Sequence, residues 1–298
     1  MSYKLEKQET LEDNVNRIAS EEIELCISSL KNSNIHEGIH EIRKSLKKIR
    51  ALARLFRDEL GEKKYKKINI FFRDVGHELA PLRDLTAHME TIEMIKARYG
   101  NHIYVNFFNS ILQELEKERE ELEENLKEKN FFSEYLVEQF ETARENFTEW
   151  PVKSADLTIV LPSIKRTYER GRNALEEAYA DPNANNFHEW RKRAKYLWHQ
   201  IQLLENLWPK FFTTWADEVH ILADLLGDDH DLMILNEKIK ATELHLNDEK
   251  QTEILHALIK EYSDHLRIEA ELQGGLVYAE KPKFFKKRTK QYIRINWN

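Results

Sequence analysis

Glycine and proline are rare in this sequence, eight and six among 298 residues, where ordinary usage would give about 12 % for the pair. Turns are therefore few and the segments between them long, which excludes an all-β sandwich or barrel. A single cysteine, Cys26, excludes an intramolecular disulfide and a cysteine metal cluster, and it is read as a small buried side chain. No apolar run approaches the roughly 18 residues that cross a bilayer. The opening MSYKLEKQETLEDNVNR lacks the apolar centre of a signal peptide, so a cytoplasmic location is expected.

What is present is charge and helical periodicity. One third of the residues are charged and 41 % are hydrophobic, the composition of a packed, water-soluble helical protein. Helical spacing is readable over about twelve segments: 4–31, 36–60, 63–80, 83–99, 102–128, 131–147, 158–180, 186–206, 210–226, 230–246, 248–273 and a basic segment from 282. Gly61, Gly100 and Gly227 are read as helix ends, and Asp181-Pro182-Asn183 and Gly274-Gly275 as loops. The most loop-like stretch runs from Trp150 to Asp156. It divides the chain into residues 1–150, a linker at 151–157, and residues 158–298.

The two sides repeat one another. HEIRKSLKKIR begins at His40 and HEWRKRAKYLW at His188, an offset of 148, while Leu82-Arg83-Asp84-Leu85 lies against Asp229-His230-Asp231-Leu232 at an offset of 147. Two motifs at nearly one offset indicate a duplicated half, each a bundle with short connections. The expected fold is all-α, two pseudo-symmetric helical bundles.

Net charge is −7, which on average repels a polyanion, but the charge is segregated. Residues 40–57 hold seven Lys/Arg against one Glu, whereas 116–128 hold seven acids against three bases. At 100° per residue His40, Arg43, Lys44, Lys47 and Arg54 share a face opposite Ile42, Leu46, Ile49 and Ala53. His188, Arg191, Lys192, Lys195 and His199 repeat that face opposite Trp190, Ala194, Leu197 and Ile201. A solvated face normally mixes signs, because like charges at i, i+4 repel; cations over about 20 Å of helix suit a string of phosphates. An adjacent polyanion favours the protonated form of each histidine.

These residues resemble the CHAD (conserved histidine α-helical) domain family. Its mark is a His-x-x-Arg-(Lys/Arg)-x-x-(Lys/Arg)-(Lys/Arg)-x-Arg helix followed by a Leu-Gly-x-x-Arg-Asp-Leu element, the whole occurring twice. His40, Arg43, Lys44, Lys47, Lys48 and Arg50 match the first copy fully, and His188, Arg191, Lys192 and Lys195 match the second, where Tyr196 and Trp198 stand at frequently basic positions. Leu226-Gly227-Asp228-Asp229-His230-Asp231-Leu232 carries His230 in place of the usual Arg, and Tyr168 to Leu175 is similar to the helix that opens the family's second half. The resemblance covers roughly 5–295. It implies basic helices facing each other across a central cleft or pore, binding of inorganic polyphosphate, and association with polyphosphate granules. Without the β-rich segment or the Glu-x-Glu-x-Lys signature of a fused tunnel domain, a stand-alone binding module is expected, with no catalytic residues, cofactor or metal.

Arg83, Lys165, Arg172 and His230 are further candidates for the anion path, as are Lys286, Lys287 and Arg288 in a tail with seven bases and no acid from 281 to 294; that tail reads equally as a solubilising end. Asp84 and Asp231 are read as structural, capping helices or orienting a basic partner. Three other readings stand beside this one. His230-Asp231 with His199 or His220 and Asp264 would suit an HD-type metal-dependent phosphohydrolase. A cationic helix also tracks nucleic acid, although the first stripe lacks aromatic residues for stacking. Finally, the acidic segment 102–128 would cover the basic face in a scaffold or self-associating protein. The oligomeric state is left open by the sequence.

Overall fold

The computed structural model describes residues 3–31, 34–100, 105–128, 134–147, 149–241 and 249–297. Among them are eleven α-helices and no strand: α1 (Leu11–Ser29), α2 (Ile35–Leu55), α3 (Arg57–Glu78), α4 (Ala80–Tyr99), α5 (Val105–Glu128), α6 (Leu136–Phe147), α7 (Leu161–Ala180), α8 (Ala184–Leu203), α9 (Pro209–Lys240), α10 (Glu249–Val277) and α11 (Pro282–Asn296). The fold is all-α, as expected. The helix starts expected at 102 and 131 and the end expected at 246 lie outside the described residues.

Local chemistry sets the helices that matter here. The Asn34 side chain accepts the backbone N–H groups of His36 and Glu37 at the start of α2, and Asn183 accepts that of Asn186 at the start of α8. Each helix then buries the face its periodicity announces: Ile39, Ile42, Leu46, Ile49 and Ala53 on α2, and Phe187, Trp190, Ala194, Leu197 and Ile201 on α8. Pro81 and Pro209 sit in the first turns of α4 and α9, where a missing N–H costs nothing.

Two glycine readings are corrected. Gly227 does not end a helix: α9 runs through it, so the segments expected at 210–226 and 230–246 are one helix of 32 residues. Gly274 and Gly275 lie inside α10, where Gly274 faces the fully buried Trp190 ring so closely that a Cβ would overlap it. Gly61 is, as expected, a place where a helix breaks: it interrupts α3 with non-helical backbone at φ of 74°, a value that glycine takes without strain.

The two sides of the linker pack in the same order. α1 lies on α2, α2 on α3, α4 on α5 and α1 on α6; likewise α7 lies on α8, α8 on α9, α9 on α10 and α7 on α11. Across the middle, α2 crosses α8 and α4 packs on α9. Both hydrophobic cores draw on both sides: the larger joins α1–α3 to α7–α9, and the smaller joins Leu85, Ile92, Phe108 and Leu115 to Leu232, Leu235, Leu255 and Ile259. The linker is held down by Trp150 and Val152, both buried, with the Trp150 N–H donating to Asn16. A strap at the N-terminus reaches across as well. The Leu5 N–H donates to the Leu203 carbonyl at 2.9 Å, Asn206 donates to the Leu5 carbonyl, and Lys4 pairs with Glu205 at 2.5 Å.

A candidate anion-binding cleft

α2, α4, α8 and α9 enclose a cavity of about 430 Å³. α2 supplies His40, Arg43, Lys44 and Lys47; α8 supplies His188, Arg191 and Lys195. α4 adds Arg83, Asp84 and Glu90, and α9 adds Asp224, Asp228, His230 and Asp231. The two helix faces singled out by angular arithmetic thus meet in one space, and the Arg83-Asp84 and His230-Asp231 elements close it from α4 and α9.

Glu90, Asp224 and Asp228 are the carboxylates there that the sequence reading missed, whereas it takes Asp84 and Asp231 as structural. Six Lys/Arg side chains line the cavity beside five Asp/Glu and three histidines. Asp224, Asp228 and Asp231 follow i, i+4, i+7 spacing and share one face of α9, a signal that was hidden by the helix break expected at Gly227. Several acids are engaged: Glu90 with Arg83 at 2.8 Å, and Asp224 with His220 at 3.1 Å and with Lys195 at 4.0 Å. Neither Asp84 nor Asp231 caps a helix; both are helical residues beside Arg43 and Arg191, whose positive charge partly offsets the upward push of burial on their pKa values.

Several polar nitrogens of the basic residues there are left without partners. Buried Nη1 of Arg83, Nε of Arg191 and Nδ1 of His188 have no hydrogen bond among the described residues. Unpaired buried polar atoms of this kind are costly unless a ligand or water meets them. Burial, then the neighbouring Lys195, Arg191, Arg43 and Arg83, lowers Lys47 to about 7. Burial and Arg191 bring His230 to about 3, and His40 and His188 are also lowered. Burial and then Asp231 and Asp224 raise Asp228 to about 6. Cations and acids of the cleft are thus both shifted toward their neutral forms.

Other expected site residues lie elsewhere. Lys48 points away to the buried Glu22 at 2.8 Å and over the Tyr3 ring. Arg50 donates to Asn69, while Arg54 donates to the Tyr65 hydroxyl and stacks on Tyr196. Lys192 pairs with Glu189. His199, on the same angular face as His188, is only 4 % exposed because the N-terminal strap covers it with Tyr3. Lys165 pairs with Glu169 and Arg172 with Glu176. Lys286, Lys287 and Arg288 sit on α11, which packs on α7; Arg288 pairs with Glu280. None of these lines the cavity.

The donors of the metal-hydrolase reading are dispersed. His199 faces Gln202, His220 pairs with Asp224 and Asp264 with Lys260, and among the described residues no three His, Cys, Asp or Glu side chains are grouped to hold a metal. The acidic helix α5 contributes nothing to the cavity lining; its Glu123 meets His36 and its Glu118 pairs with Lys238 at 2.9 Å.

The pattern of the CHAD domain matches residues 10–240. The chain belongs to the CHAD domain family. Among solved structures it is similar to PptA from Streptomyces chartreusis, with a TM-score of 0.60 and 13 % identity over 91 % of this chain and 100 % of that one, a likeness of fold. No curated protein matches it. Both histidines of the CHAD-type helices, His40 and His188, face the cavity described above. No helix among the described residues is long and apolar enough to cross a membrane.

Proposed function

We propose that this CHAD domain protein is a stand-alone, cytoplasmic binding module for inorganic polyphosphate, that it acts at polyphosphate granules without catalysing a reaction, and that its two halves arose by duplication. The observation that carries the reading is the convergence of cations from two helices in one cavity, where Lys47 faces Lys195, Arg191 and Arg43 and the buried Nε of Arg191 has no hydrogen bond among the described residues. Guanidinium groups pair phosphate oxygens in a plane and ammonium groups add point charge. Repeated contacts of this kind give affinity that falls with salt, by analogy with nucleic acids. Against nucleic acid as the ligand stands the lining itself, which contains no Phe, Tyr or Trp on which a base would stack.

The test is a titration with long-chain polyphosphate over a salt series, with single-stranded DNA and ATP as competitors. Changing Lys47 and Arg191 together to Ala should weaken binding by about a hundredfold, at roughly tenfold for each charge-assisted contact. Changing Lys117, an exposed residue of α5, together with Lys165 should leave it nearly unchanged. Equal losses in the two pairs, or displacement by DNA as effective as by polyphosphate, would overturn the reading.

A further inference from the structure

A second cluster of cations lies outside the cleft, where the start of α3 meets α2, α7 and α8. Arg54, Arg57, Arg166, Arg170 and Arg193 surround a pocket that also exposes the hydroxyl-bearing Ser163 and Thr167 and the ring of Tyr196. Its enclosed part is about 10 Å³, room for one oxygen-sized group, and it widens toward solvent. No carboxylate lines it. Three acids hold guanidiniums from outside: Asp58 holds Arg166 at 3.2 Å, Glu62 holds Arg57 at 2.6 Å and Glu189 holds Arg193 at 3.0 Å. Two positive charges are left over. Arg54 lies 3.8 Å above the Tyr196 ring with its buried Nε unpartnered. Around Arg170, burial and then the guanidiniums of Arg193, Arg166, Arg57 and Arg54 all depress its pKa.

The cluster is not a by-product of the repeated stripe. Moved back by the 148-residue offset, Arg170 falls on Glu22, Arg166 on Ile18 and Arg193 on Ser45. The residue that the offset sets against Arg170 is thus an acid, Glu22, which pairs with Lys48 at 2.8 Å.

We propose that these five arginines form a second anion site that takes a terminal phosphoryl group, on a small condensed phosphate or at the end of a linear chain. An end group carries more charge than a mid-chain phosphate and presents several oxygens to converging planar donors, whereas the enclosed volume is too small to pass a chain. The site stands whether or not the cleft binds polyphosphate.

The test is calorimetric titration of the full chain with pyrophosphate, linear tripolyphosphate and cyclic trimetaphosphate, the last having no terminal group. The cleft variant Lys47→Ala/Arg191→Ala should keep a binding event for the two linear anions and bind trimetaphosphate poorly. Arg170→Glu, which installs the residue type of the opposite side, should weaken the linear anions by about tenfold or more, and Arg170→Ala by less, with both variants melting like wild type. Long-chain polyphosphate distinguishes the sources: a loss in Arg170→Glu confined to pyrophosphate assigns free small phosphates, and a loss that extends to chains assigns their ends. No binding by wild type, unchanged binding by Arg170→Glu, or trimetaphosphate bound as well as tripolyphosphate would overturn the proposal. Loss of long-chain binding in the cleft variant, with pyrophosphate and tripolyphosphate bound by Arg170→Glu as by wild type, would leave the cleft reading intact while this one failed.

Discussion

Lys47 illustrates how a single side chain sets the chemistry of the cleft. With burial and four cations holding it near 7, it is only partly charged at neutral pH. An anion in the cleft raises the pKa of Lys47 and of Asp228, and also favours protonation of His40, His188 and His230. The complex therefore holds more protons than the free protein, and affinity should rise as pH falls from 8 to 6. Uptake of about one proton near pH 7, measured by calorimetry in buffers of different ionisation heat, is the expected result. Lys47→Arg should flatten the upper part of that pH dependence, because guanidinium stays charged. Angular arithmetic found His40, Arg43, Lys44 and Lys47, and they do converge. It also put Arg54 on that face, yet Arg54 is seven residues, about 10 Å, farther along α2 and belongs to another pocket. A residue's angle around its helix does not say how far along the axis a cavity extends, nor that a strap covers His199.

Among the elements, α9 shows where local signals mislead. Glycine is a common helix terminator, and Gly227 suggests a break; the packing of Leu222, Leu226, Leu232 and Leu235 into two cores keeps the helix continuous through it. Continuity is what aligns Asp224 and Asp228 with Asp231, so the same misreading concealed Asp224 and Asp228 as acids of the site. The two interior glycines should respond oppositely to alanine. At Gly227 a Cβ meets only Arg191 Nε at 3.7 Å, an ordinary contact, and Gly227→Ala should stabilise the protein by about 1 kcal/mol through helix propensity. At Gly274 the Cβ would overlap Trp190, which has no exposed surface to yield into, and Gly274→Ala should destabilise by about 1–3 kcal/mol. Thermal or urea unfolding of the pair checks both signs.

At the scale of the molecule, the helices were legible because their apolar faces show in the sequence. Which helix each face meets was not, since periodicity identifies a buried residue without naming its neighbour. The strap is such a case: Leu5 is fully buried, docked on residues 203–206, yet Tyr3 to Glu6 precede the segment matched by the family pattern. Removing residues 1–9 should cost about 2–4 kcal/mol, from the buried Leu5 and its lost hydrogen bonds, seen as a lower urea midpoint with the helical spectrum retained. The strap also orders events during synthesis. Its partners are encoded some 200 residues later, so at 5 to 20 residues per second the nascent N-terminus waits roughly 10 to 40 s for them to be made. Until they leave the ribosome, Leu5 has nowhere native to go, and docking of the strap marks a chain whose second half has arrived.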